Sequence, residues 1–156
     1  MSDVTSIEEV VADITKVDSD PLTVPAYGYE LIREILIPEL LGRETPDLLY
    51  WAGKRIARLF PLDSVEESVS FFQKVAWGKL EIVKQTKNEV VYSLSSELIE
   101  KRLKEKGKCT FQLEAGYLAQ QYEHSKNVIA EAFEDPKRRS NKVTITVRWD
   151  SKDSVE

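Results

Sequence analysis

Cysteine and histidine are almost missing from this 156-residue chain, which holds one of each, Cys109 and His124. A single thiol excludes an internal disulfide, and no Cys/His cluster for zinc or an iron–sulfur centre can be assembled. Phosphate-cradling loops are missing too: Gly53, Gly78 and Gly116 stand alone, with no G-x-G-x-x-G, G-x-x-x-x-G-K-[ST] or G-x-S-x-G around them. No apolar run approaches the ~20 residues of a membrane-spanning helix. The densest stretch, Leu31 to Leu41, is broken by Arg33, Glu34, Pro38 and Glu39. The N-terminus lacks the basic and apolar regions of a secretory signal. These absences point to a reduced, cytoplasmic protein with no membrane span and no cofactor.

Positive charge is not in excess either. Lys and Arg number 22 against 27 Asp and Glu, a net of −5. Residues 1–22 account for all of it, with Asp3, Glu8, Glu9, Asp13, Asp18 and Asp20 against Lys16 alone. A neutral body behind an acidic leader has no long-range attraction for phosphate backbones, so no nucleic-acid partner is expected. The run Lys101-Arg102, Lys104, Lys106, Lys108 is interleaved with Glu97, Glu100 and Glu105, the pattern of a solvated helical face.

What is present is the composition of one globular domain. Residues 1–22 read as an acidic leader, where a mobile tail competes with a short amphipathic helix on Ile7, Val10, Val11 and Ile14. Residues 23–150 read as a single α+β domain and 151–156 as a polar tail. Tyr27–Leu41 carries apolar residues around most of a helical girth, which demands cover on more than one side. Pro38 should kink or loosen that helix, and Gly42 should stop it. A second helix starts at Thr45-Pro46-Asp47, with Gly53 and Ala57 spaced to admit a neighbouring backbone closely. The capping box Ser64-x-x-Glu67 opens a third, through about Ala76. Alternation at Leu80, Ile82, Val90, Tyr92 and Leu94 predicts a hairpin turning at Thr86–Glu89. A charged helix, about 97–106, ends at Gly107. Phe111, Ala115, Leu118, Tyr122, Ile129 and Phe133 predict one long helix to about Glu134, and Val143, Ile145 and Val147 a final strand. The fold class is α+β: N-terminal helices packed on a small antiparallel sheet, with a long C-terminal helix before the last strand.

No catalytic constellation emerges. Cys109 needs a base, and His124 lies about 22 Å along the same predicted helix. Glu114, Glu123 and Glu131 share that helix, but nothing holds two of them in one pocket. Cys109 reads as structural and His124 as a rim residue, so no enzymatic role is assigned. The wide apolar surface of Tyr27–Leu41 has three readings, namely core burial, a dimer interface, or the wall of a ligand cavity. For such a cavity, stripe position nominates Ile32, Leu36, Phe111, Leu118 and Tyr122, with Ala115 where a larger side chain would fill it.

The segments YGYELIREILIPELLG (27–42), YWAGKRIARLFP (50–61), FFQKVAWGKLEI (71–82), CTFQLEAGYLAQQ (109–121) and VTITVRWD (143–150) resemble, in that order, a family of uncharacterised bacterial proteins related to the 4-vinyl reductase domain. That domain belongs to the superfamily of nitric-oxide-signalling and Golgi-transport ligand-binding domains. The resemblance implies the α+β fold above, pairing through the first helices, and a small apolar ligand in a cavity bordered by Ala52-Gly53 and Ala115-Gly116. Cysteines that 4-vinyl reductase domains carry near the last strand are missing from 135–150, and neither a haem ligand nor an acylated cysteine carries over. The expectation is a non-enzymatic domain that binds a small hydrophobic molecule as a homodimer, with an adaptor whose core is filled by its own side chains as the alternative.

Overall fold

The computed structural model describes residues 6–19, 21–105, 109–135, 139 and 141–154, with only the backbone of 151–154. The chain forms two compact units, Met1–Leu40 and Leu41–Glu156.

In the first unit, α1 (Ile7–Lys16) is opened by Ser6, whose hydroxyl accepts from the Glu9 N–H at 3.2 Å. Of the two readings of the leader, a mobile tail or a short amphipathic helix, the structure forms the helix, and none of its residues is buried. After it, α2 (Ala26–Glu30) runs without a break through a π-helical turn, Leu31–Leu36, into α3 (Ile37–Leu41). Pro38 accounts for the turn. Its ring would press on the carbonyl four residues back and it has no N–H to donate there. The helix widens just before it, and the Ile37 N–H reaches the Ile32 carbonyl five residues back. Gly42 then adopts φ +64°, the left-handed stop expected of it.

The second unit contains α4 (Thr45–Leu59), α5 (Val65–Lys74), β1 (Lys79–Gln85), β2 (Glu89–Ser95), α6 (Glu97–Lys104), α7 (Gln112–Lys126), β3 (Val128–Glu134) and β4 (Lys142–Ser154). Caps are local, as the sequence requires: Ser64 accepts from Glu67 N–H at 3.2 Å and Ser96 from Ile99 N–H at 3.0 Å. The expected Gly107 stop and most of the basic loop at 137–141 lie outside the described residues. The strands form an antiparallel sheet in the order β1-β2-β4-β3. Val90, Tyr92 and Leu94 of β2 and Val143, Ile145 and Val147 of β4 all point into the core.

The expected helix to Glu134 is shorter and gives way to a strand. Asn127 takes a left-handed conformation (φ 54°, ψ 49°), ends α7 at Lys126 and turns the chain into β3. Ile129 and Phe133, assigned to the buried helical face, instead lie on the outer face of β3, while Val128, Ala130 and Ala132 face inward. The inward residues are the small ones, so the alternation is hard to see in a hydrophobicity pattern.

Helix α7 lies between α4 on one side and β3 and β4 on the other. Burial around its girth follows: Glu114, Ala115, Gly116, Tyr117, Leu118 and Tyr122 are all inside. The α4–α7 crossing is a backbone-to-backbone contact. A Cβ on Gly116 would collide with the Tyr50 carbonyl, and one on Gly53 with the Leu113 carbonyl. Next to the crossing, Tyr117 stacks on Phe71 at 4.9 Å and meets Phe72 and Trp77 edge-on.

Two expectations follow for urea denaturation. Gly116→Ala should destabilise by about 3 kcal/mol or more, because backbone cannot yield as a side chain would, whereas Gly28→Ala in α2, with open space around it, should be neutral or gain up to about 1 kcal/mol. Asn127→Val should cost about 1–2 kcal/mol through the left-handed backbone, and Asn127→Gly almost nothing. Equal midpoints for the two substitutions at 127 would refute the stop assigned to it.

Candidate functional site

A cavity of about 210 Å³ opens in the second unit between the start of α5, the C-terminal half of α7 and strands β1 and β2. Leu62, Val65 and Leu118 give it apolar wall, and Ser68, Tyr92 and Tyr122 add hydroxyls. Tyr92 donates its phenolic proton to the Tyr122 oxygen at 3.0 Å. Burial raises the pKa of both phenols, and the hydrogen bond raises that of Tyr92 further. Both stay protonated at neutral pH, so Tyr122 keeps a proton to donate. Trp149, stacked on Tyr122 at 4.9 Å, fixes that ring. Gln121 is fully engaged: its amide donates to the Phe60 carbonyl at 3.0 Å and accepts from Leu62 N–H at 3.1 Å, which holds the α4–α5 connection over the cavity.

The residues nominated from sequence are distributed as follows. Leu118 and Tyr122 line this cavity. Phe111 and Ala115 are fully buried in the core of the same unit. Ile32 and Leu36 belong to the first unit, where they are 51% and 45% exposed. Ser68, Tyr92 and Lys126 were not singled out as site residues. The signal for Ser68 was a hydroxyl one turn after the Ser64 cap, on the apolar stripe of Val65, Val69 and Phe72; for Tyr92 it was a phenol at the centre of an inward triad.

Cys109 is buried and precedes α7, whereas His124 stands near its far end, about 18 Å along an unbroken helix from Gln112. His124 is half exposed, 3.7 Å from Asp63. Among the described residues no group of His, Cys, Asp and Glu is placed to hold a metal ion. No helix among them is long and apolar enough to cross a membrane.

A second, shallower concavity of about 550 Å³ follows the outer edge of β3. Side chains already satisfy that edge. Ala130 N–H donates to Glu123 at 3.0 Å and Ala132 N–H to the Tyr50 hydroxyl at 3.1 Å, with Lys54 3.6 Å from Glu123. An edge strand so covered does not offer a free template for pairing.

Comparison with known proteins agrees with this architecture. A crystal structure of a vinyl-4-reductase family protein from Methanocaldococcus jannaschii matches with a TM-score of 0.69 over 96% of this chain and 99% of that one, at 19% identity. What the two share is the fold, as the resemblance to 4-vinyl reductase domains implied. A trafficking protein particle complex subunit 3 from Naegleria fowleri, covalently bound to palmitic acid, matches at a TM-score of 0.40 and 12% identity over 96% of this chain and 95% of that one. In sequence, the uncharacterized protein YslB of Bacillus subtilis (strain 168) is 47% identical over 130 residues, 83% of this chain and 88% of that protein. The family described as protein of unknown function (DUF2507) matches residues 26–148, and the chain belongs to it.

Proposed function

We propose that this protein is a cytoplasmic interaction domain that pairs with a second copy of itself through the helical segment 26–41. One observation carries the reading: most of the large apolar residues of that segment are exposed. Leu31, Ile32, Ile35, Leu36 and Leu40 are between 40% and 74% accessible, and Tyr27 78%. A continuous apolar strip of this kind is costly to leave in water. A second copy supplies a strip of the same character about a two-fold axis. Ile35→Arg should convert a dimer into a monomer by light scattering at tens of micromolar, roughly the range of modest interfaces, without moving the melting temperature of the second unit. A wild-type protein that is monomeric in that range refutes the pairing.

A second reading, small-molecule binding, is favoured by the cavity bounded by Leu118 and Tyr122. At about 210 Å³ it is below the range of drug-sized sites, roughly 300 Å³ upward, and suits a small guest. Filling it with Ser68→Leu should abolish any rise in melting temperature given by a small aromatic compound. Ala115→Phe, in the packed core away from the cavity, should instead destabilise by about 1–3 kcal/mol. If neither benzyl alcohol nor benzoate raises the melting temperature of the unsubstituted protein, this second reading fails.

A further inference from the structure

Within the small-ligand reading, the cavity walls specify a chemistry. Ser68 is 95% buried, lines the cavity, and its hydroxyl makes no hydrogen bond to any other described residue. Its oxygen is reached from the cavity, so a guest there can take the hydrogen bond that water otherwise takes. Tyr122 is in the same position on its donor side. Its oxygen accepts from Tyr92, and its own proton has no acceptor among the described residues. Both hydroxyls line the same cavity.

Two further features of the wall favour negative charge. The cavity is lined by Ser64 and Val65, the cap and first residue of the ten-residue helix α5. Ser64 occupies the Glu67 N–H through its side chain and the Ser68 N–H through its carbonyl, which leaves those of Val65 and Glu66 at the positive end of the helix dipole. Lys126 also lines it, with its ammonium 6.0 Å from the centre of the Tyr122 ring. The one carboxylate among the lining residues, Asp63, is 91% exposed and beside His124. Glu66 and Glu67 share the first turn of α5 but are not among the lining residues. Leu62, Val65 and Leu118 complete an apolar floor.

We infer that this cavity is a site for a small monocarboxylate with an apolar body, its oxygens held by the Ser68 and Tyr122 hydroxyls, the start of α5 and Lys126. The size limit follows from the volume. At about 30 Å³ per water, 210 Å³ holds about seven waters, hence a guest of about seven to ten non-hydrogen atoms.

The inference rests on the small-ligand reading, and the test separates the two. Benzoate and its neutral counterpart benzyl alcohol are titrated into the full chain, followed by amide chemical shifts and melting temperature. Benzoate should bind at least tenfold more tightly, with shifts at Val65, Ser68 and Tyr122. Lys126→Met should weaken benzoate about tenfold and leave benzyl alcohol unchanged, and Ser68→Ala should weaken benzoate about five- to tenfold, as for hydrogen bonds to a charged group. Equal affinity for the two probes, or a Lys126→Met protein that still binds benzoate as before, overturns the carboxylate assignment while leaving a cavity that binds apolar guests. Failure of both probes to bind overturns the small-ligand reading with it. Shifts that map away from α5 and α7 overturn the location.

Discussion

The second unit depends on one contact, the crossing of α4 and α7 where Gly53 and Gly116 bring two helix backbones together. Interiors are packed like crystals, so the distance at this crossing propagates to everything seated on α7. Immediately after Gly116, Tyr117 enters the aromatic cluster of Phe71, Phe72 and Trp77, and burial pushes its phenol up to about 12. Leu118, the next residue, and Tyr122, one turn beyond it, face the cavity. On the α4 side, Tyr50 closes against Gly116 with its carbonyl and reaches Ala132 of β3 with its hydroxyl. A methyl group at either glycine would pry these apart together.

The two units handle apolar surface in opposite ways. The second buries Val90, Tyr92, Leu94, Val143, Ile145 and Val147 under α7 almost completely. The first leaves most of its large apolar side chains in solvent. A helix seldom derives stability from propensity alone, and an amphipathic face draws most of it from packing. The exposed strip over 26–41 is therefore apolar surface that the single chain leaves uncovered.

The cavity and the β3 edge illustrate how polar groups are managed around the same helix. At the edge, every outward amide that is described with a side-chain partner has a firm one, Glu123 or Tyr50. In the cavity, Gln121 is satisfied twice while Ser68 and the Tyr122 proton are not. The edge is thus held by side chains from α4 and α7, whereas the cavity keeps hydroxyls that face its interior.

Residues whose effect is felt within a turn of themselves could be read without the fold. Ser64 starts a helix through a bond to its own third neighbour, Gly42 stops one, Pro38 forces the π turn just ahead of it, and the alternation of Val143, Ile145 and Val147 makes a strand in any context. The close approach at Gly53 was legible because a missing side chain has only a few uses on a helix, but its partner, Gly116 and the Leu113 carbonyl, was not. The sequence nominated Leu118 and Tyr122, on one helical stripe, for a cavity against the first helix; the cavity they line instead includes Ser68 and Tyr92 from other elements, which no local pattern could bring together. Tertiary structure alone decided the segment 128–134. Ile129 and Phe133 continue the helical stripe of Phe111, Ala115, Leu118 and Tyr122, so local spacing favours helix. Pairing with β4 supplies a ladder of hydrogen bonds and buries Val128, Ala130 and Ala132, and that energy exists only once β4, from the far end of the chain, is in place.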